Sequence, residues 1–206
     1  MKDQMEKFSE KPPRISLLEK LFKETGEILL SMGLVDSHSG NMSVLIDGRV
    51  FITRTKSMLG RLKKGDIVHF DLNQSPYGIP ENASQESIVH AEIYRRKGAG
   101  AIIHAHPPSA VSLSLILPES KINPVDHEGR LLLKEVPIVD FEPQAKKEDI
   151  GKEICIYLKE TNIVLVRGHG SFSFGKDLYE ALMYTSCLEY SSMILINKFI
   201  LEGRKG

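Results

Sequence analysis

After a polar opening, the chain falls into a helical rhythm. Over roughly residues 14–32, Leu18, Leu21, Phe22, Thr25, Leu29 and Met32 follow helical spacing, and Gly33 suits a stop. Residues 1–13, closed by Pro12-Pro13, read as a flexible arm ahead of that helix. The rhythm then shortens to strands. "NMSVLIDGRVFITR" predicts a hairpin with Asp47-Gly48 as its tight turn, and "DIVHF" another strand, followed by the turn-rich "NQSPYGIPENAS". "SQESIVHAEIYRRKG" predicts a helix, with Ser84 as N-cap and Gly98 as stop. The apolar run "AIIHA" predicts a strand that Pro107 and Pro108 end, and a helix follows near 109–116. Beyond it come a strand in "VPIVDF", a helix over 146–160 and a continuously apolar strand in "NIVLV", as at a sheet centre. A short strand in "HGSFSFGKD" precedes a long helix over about 178–202, with Asp177 and Glu180 as a capping box. Strands arrive both in pairs and singly between helices. That order predicts one mixed or antiparallel sheet covered by helices, not a doubly wound parallel sheet.

Composition narrows the function classes. With 206 residues the chain can bury one sizeable core, so residues 1–206 are expected to form a single domain. Lys+Arg and Asp+Glu both number 27, so no net field points to nucleic acid or an anionic membrane. The start lacks an apolar signal region, and no stretch reaches 18 consecutive apolar residues, so a cytoplasmic protein without a membrane span is expected. Cys155 and Cys187 lie in predicted helices among apolar neighbours and read as buried reduced thiols.

The candidate chemistry lies in the histidines. Residues i and i+2 of a strand share a face, so His104 and His106 project together at the end of "AIIHAH". His169 sits between Gly168 and Gly170 at the end of the "NIVLV" strand, where glycines let the backbone turn and approach closely. Glu86 opens the helix that a short connection, "RKGAG", returns into the histidine strand, which brings it near that strand's C-terminal end. Three neutral imidazoles and a carboxylate suit zinc with an exchangeable position. Ordinary structural readings exist for each: a histidine pair on a strand, a loop histidine, a glutamate favouring a helix dipole. Glu86 and His90 also stand at i, i+4, a spacing that serves helix stability and metal binding alike. Strand ends hold ligands more rigidly, which favours His104 and His106 over His90. His38, His69 and His127 lack a comparable pattern.

Five blocks in order now resemble the class II aldolase/adducin family, over roughly residues 14–200. "SGNMSV" is similar to its glycine-asparagine phosphate loop and "FITRTKS" to its "LITPTG" segment. "ASQESIVHAEIYRR" resembles its "PSSE" helix, "AIIHAHPP" its paired-histidine strand, and "VLVRGHGSFSFGKD" its "NHG" block. The resemblance implies an α/β/α fold with a central mixed, largely antiparallel sheet. It implies one divalent metal per subunit, usually zinc, and a homotetramer with sites between subunits. Carried over residue by residue, it assigns Glu86, His104, His106 and His169 to the metal, and Gly40, Asn41, Thr55 and Ser84 to a substrate phosphate. It makes Glu86 the general base once substrate oxygens take the metal, with zinc stabilising the enediolate of dihydroxyacetone phosphate.

Three departures bear on the substrate. Lys56 stands where the family often has glycine, and Gln85 where it commonly has a second serine. In "INPVDHEGR", where fuculose-type aldolases carry a tyrosine acid, Asp126, His127 and Glu128 stand instead, and no tyrosine-bearing tail is evident before Gly206. The implied activity is cleavage of a ketose 1-phosphate into dihydroxyacetone phosphate and an aldehyde. Alternatives are a methylthioribulose-1-phosphate dehydratase and a pentose-phosphate 4-epimerase, which share the metal motif, and a non-catalytic adducin-like module, which has no need of the ligands.

Overall fold

In the computed structural model, which describes residues 12–142, 144–158 and 160–203, the first helical stripe forms α1 (Pro12–Ser31). Pro12 and Pro13 open this helix and do not end an arm. Proline is tolerated there because the N–H it lacks has no helical partner at that position. The remainder of the expected arm, residues 1–11, lies outside the described residues, as does Gly206. The hairpin forms as β1 (Asn41–Ile46) and β2 (Arg49–Thr53), with Ile46 opposite Arg49. Its turn residues Asp47 and Gly48 take φ of 48° and 78°, the left-handed pair that matches strand twist.

The chain continues through β3 (Ile67–Asp71), α2 (Ser87–Lys97), β4 (Ala101–Ala105) and α3 (Pro108–Ile116). Next come β5 (Lys121–Ile122), α4 (His127–Leu132), β6 (Val136–Val139) and α5 (Lys147–Tyr157). It closes with β7 (Ile163–Val166), β8 (Gly170–Gly175) and α6 (Leu178–Gly203). Strand β5 and helix α4 are too short to leave a periodic signal, and the pattern does not anticipate them. At the start of α6 the acidic pair acts as expected on one side, with Asp177 Oδ1 accepting the Glu180 N–H at 2.8 Å. Glu180 reaches back one residue further than a regular capping box and accepts the Lys176 N–H at 2.6 Å.

Ser84 departs from its expected role. Its N–H is still bonded to the Thr53 carbonyl, so the backbone is held to the end of β2 and cannot yet turn helical. The helix begins three residues later, with Glu86 in the N-cap position. Ser84 forms the turn before it, its hydroxyl accepting the Glu86 N–H and its carbonyl accepting from Ser87.

All eight strands form one sheet, in the order β3-β2-β1-β4-β8-β7-β6-β5. Among the described residues only the β6–β7 pair is parallel, so the sheet is mixed and largely antiparallel, as expected. Alternation along β4 sends Ile102 to one face and Ile103 to the other. Ile102 packs with Val89 and Ile93 of α2, Ile154 of α5, and Phe172 and Phe174 of β8. Ile103 packs with Phe22 and Leu29 of α1 and Leu178 of α6. Further along that second face, Leu113 of α3 joins Ile163, Leu165 and Leu188. The result is an α/β/α sandwich. Each fully buried Leu, Ile or Phe contributes about 1.5–3 kcal/mol, and both faces of the central strands are supported this way. A rigid strand end at β4 follows, with His104 on the Ile102 face.

Candidate active site

His104 is the penultimate residue of β4 and lies between two strands, paired with Asn41 of β1 and Phe172 of β8. Its ring stacks on Phe172 with centroids 4.2 Å apart. His104 Nδ1 lies 3.0 Å from the Ser171 carbonyl, which can only accept. The hydrogen therefore sits on Nδ1, and the Nε2 lone pair faces outward. That Nε2 lies 3.0 Å from His106 Nε2. His106 projects from the same face just past the strand, with its own N–H bonded to the Leu34 carbonyl.

His169 arrives in the turn between β7 and β8, where Gly168 adopts a φ of 66°. Gly170 is required by close approach: a Cβ there would lie 2.5 Å from the Ala105 oxygen and 2.7 Å from the His106 ring. The three imidazoles meet with centroids 4.8–5.0 Å apart, and one nitrogen of each lies within 4.8 Å of the others.

All three rings are held neutral, as metal ligation needs. Burial drives His104 well below the ordinary histidine range, and His106 and His169 beside it act in the same direction. Burial also lowers His106 to about 4 and depresses His169. With bonds of about 2.1 Å, a tetrahedral ion sets its ligand atoms about 3.4 Å apart. The 3.0 Å between two facing Nε2 atoms is close to that edge. The donor set fits a divalent metal.

Glu86 is buried nearby but stands outside the three-histidine group. Its Oε1 accepts from Lys147 Nζ at 2.6 Å, and the two act on the charge of His169 in opposite senses. Lys147 escaped the sequence reading, since 61 positions separate it from its partner. One signal was available. Lys146 and Lys147 begin α5, where the helix dipole disfavours cations, so a lysine there needs another reason.

Of the expected phosphate residues, Gly40 and Asn41 lie beside His104, and Ser84 and Thr55 lie on the loops tied to the end of β2. Asp36 closes the preceding loop by accepting the His38 and Ser39 N–H groups. Gly40 follows with φ 80°, pressed so tightly that a Cβ would meet the His104 carbonyl at 2.9 Å. Asn41 is buried, and its Oδ1 has no hydrogen-bond partner among the described residues. Thr53 ties the loops together: its hydroxyl accepts the Met42 N–H and its carbonyl the Ser84 N–H. Thr55 bonds through its N–H to the Asn82 carbonyl. Lys56 takes a φ of 61°, the left-handed region that glycine fills without strain, and its side chain is exposed. Gln85 is also exposed.

The remaining candidates lie elsewhere. His90 is fully buried against Ser43, its Nδ1 2.7 Å from that hydroxyl, and takes no part in the cluster. Asp126 caps α4 by accepting the Gly129 N–H, while His127 and Glu128 are exposed on its first turn.

Residues 21–196 match the Class II Aldolase and Adducin N-terminal domain. The chain belongs to that family. It is 30% identical to an L-fuculose phosphate aldolase of Methanocaldococcus jannaschii over 79% of this chain and 87% of that one. A methylthioribulose-1-phosphate dehydratase of Sulfurihydrogenibium is 28% identical over 86% and 88%. The crystal structure of L-fuculose-1-phosphate aldolase from Thermus thermophilus superposes with a TM-score of 0.85 at 38% identity, covering 91% of this chain and 97% of that one. These matches support a lyase of the class II aldolase type, with a three-histidine cluster able to hold its metal.

Proposed function

We propose that this protein is a sugar-phosphate aldolase that cleaves a ketose 1-phosphate to dihydroxyacetone phosphate and an aldehyde. The observation that carries the reading is three neutral imidazoles converging beside a buried carboxylate and a loop with an unpartnered polar atom, Asn41 Oδ1. His104, His106 and His169 would hold the ion, zinc by its donor set, with Glu86 as the fourth ligand in the resting enzyme. When bound, the ion supplies Lewis acidity toward the substrate oxygens. Gly40, Asn41, Thr55 and Ser84 bind the phosphate through amide, hydroxyl and backbone N–H donors.

Glu86 moves the proton at carbon. In cleavage, the electron pair of the breaking C–C bond passes to the dihydroxyacetone phosphate fragment, and Glu86 returns a proton to that carbon. In condensation the same carboxylate removes it. Lys147 holds Glu86 by its Oε1 at the edge of the cluster. Exposed apolar side chains on α3, α4 and α6, among them Leu115, Ile116, Leu131 and Tyr190, support assembly as a homotetramer with sites between subunits. In such an assembly His127 or Glu128 of a neighbouring copy becomes the candidate acid for the aldehyde oxygen. No helix among the described residues is long and apolar enough to cross a membrane. The proposed reaction belongs to sugar-phosphate metabolism, with the cytoplasm as its proposed place.

The deciding test is exchange of the dihydroxyacetone phosphate C–H proton with solvent deuterium, which needs no knowledge of the aldehyde. Wild type should exchange. Glu86→Gln should keep its metal and fold and lose about 10²–10⁴ in exchange rate, because an amide accepts no proton at neutral pH. Exchange at the wild-type rate would place the base elsewhere. If wild type itself does not exchange, the dehydratase reading, favoured by the 28% identical relative, replaces the aldolase.

A further inference from the structure

Helix α3 joins two of the three histidine segments. It starts two residues after His106, and its C-terminal end meets the turn that carries His169. Both ends are clasped by long side chains from distant elements, and the clasp uses charge of the right sign at each end. Pro107 occupies the N-cap and has no side-chain acceptor to offer, and Pro108 has no N–H. Two orphan donors remain, the N–H groups of Ser109 and Ala110. Both are taken by Glu189 of α6, at 2.9 Å and 3.3 Å to Oε2. Glu189 is a buried carboxylate, 79–80 positions away in sequence, and these amides together with the positive end of the helix dipole are what it faces.

At the other end the donor is Arg167, two residues before His169. Its Nη1 donates to the carbonyls of Ser114 and Leu117, its Nη2 to that of Glu119, and its Nε to Asp140 at 2.8 Å. Gly168 adds a backbone bond, its N–H donating to Ser114 Oγ at 2.9 Å, and that hydroxyl in turn donates to the Val111 carbonyl. The guanidinium therefore gathers carbonyls that the helix end leaves open and anchors the Arg167–Gly168–His169 turn to α3.

We infer that Glu189 and Arg167 are positioning residues that make α3 a brace of fixed length, setting where His106 and His169 stand relative to one another. The hydrogen bonds of both side chains go to backbone groups and to Asp140, so each acts through the backbone it holds. Nine residues of helix span about 13 Å, and a helix does not stretch. Freeing either clasp lets one histidine segment drift while the sheet, held by its own ladders, stays formed. This inference rests on the three histidines being a metal centre.

The test uses Co2+ as the probe on the metal-stripped full chain, reading affinity by chelator competition and ligand geometry by the visible absorption of the bound ion. Arg167→Met and Glu189→Leu should each weaken Co2+ binding about 10–100-fold, the range for groups that orient metal ligands, and should change the absorption band shape. Glu189→Gln keeps an acceptor oxygen and should recover most of the affinity. Arg167→Lys loses the fork and should recover little. A remote core change, Phe70→Leu on β3 at the far edge of the sheet, serves as the control for lost stability alone and should leave affinity and spectrum as in wild type. If the two harsher variants fail to fold, Arg167→Lys and Glu189→Gln carry the test by their opposite expected outcomes. Wild-type affinity and band shape in folded Arg167→Met or Arg167→Lys would overturn the brace. Absence of Co2+ binding by wild type would overturn the metal reading, and the brace with it.

Discussion

His90 and His104 stand on the same side of the sheet with Phe172 between them, edge-on to His90 at 6.1 Å and stacked on His104 at 4.2 Å. Both are buried, at 0% and 2% exposure, and burial holds both neutral. Each has one nitrogen at hydrogen-bond distance of an oxygen, Ser43 Oγ for His90 and the Ser171 carbonyl for His104. They differ in the second nitrogen. That of His104 faces His106 at 3.0 Å, whereas that of His90 meets no partner among the described residues. Burial and neutrality are therefore common to a core histidine and a ligand. Convergence of ring nitrogens on one another separates them, and the backbone supplies it: a strand end for two rings and a glycine-flanked turn for the third. Strand β1 repeats the contrast. Asn41 pairs with His104, and two residues along the same face Ser43 bonds to His90 and Tyr94.

The largest effect should come from breaking the convergent side. Purified wild type is expected to carry about one zinc-like ion per chain. His104→Ala and His169→Ala should lose most of it, since a missing ligand costs at least the 10–100-fold typical of a lost orienting group. His90→Gln should keep its metal. Elemental analysis showing full occupancy in the two alanine variants, or loss in His90→Gln, would reverse the distinction between the two histidines.

A middle-sized effect tests the same contrast on β1. Asn41→Ala removes a polar group expected to meet the substrate phosphate, worth roughly 1.5–3 kcal/mol for a charge-assisted bond, so KM should rise while melting barely changes. Ser43→Ala should do the opposite, because it strips the shared partner from the buried His90 and Tyr94 and leaves their polar atoms without it. Unaltered KM in Asn41→Ala would make its loop structural.

The sheet, its helical layers and the three converging histidines are legible in the sequence because their signals are local. Period-two alternation, a left-handed Asp47-Gly48 turn and glycines flanking His169 each show within a few residues. What is illegible is carried by pairs far apart in the chain. Glu86–Lys147 and Glu189–Ser109 leave no spacing to read. Ser84 misleads for a related reason: its residue type favours an N-cap, but a long-range bond to Thr53 holds its backbone out of the helix. Lys56 shows the converse, a left-handed residue that its type conceals and only the comparison with glycine at that position reveals.

The smallest effect concerns pH, and it isolates His90 as a core residue. Its folded pKa is lowered to about 3 from the ordinary 6.5, by burial. The unfolded chain therefore binds the extra proton between those values, and stability falls as pH drops through that window, by at most about 1.4 kcal/mol per pH unit for one group. His104, His106 and His169 are lowered too, so they act with the same sign in the metal-free protein. Asp36, lowered to about 2 by accepting the His38 and Ser39 N–H groups, releases its contribution below about pH 4 and leaves the window from about pH 6 to 4.5 clear. Urea unfolding of the metal-free wild type and His90→Gln across that window should give two slopes. The variant's should be shallower by about one proton, because glutamine keeps a polar partner for Ser43 and does not titrate. Equal slopes would mean that His90 already takes a proton in the folded state, through an opening that reaches its unpartnered Nε2, and the division between a sealed histidine and an open cluster would no longer hold.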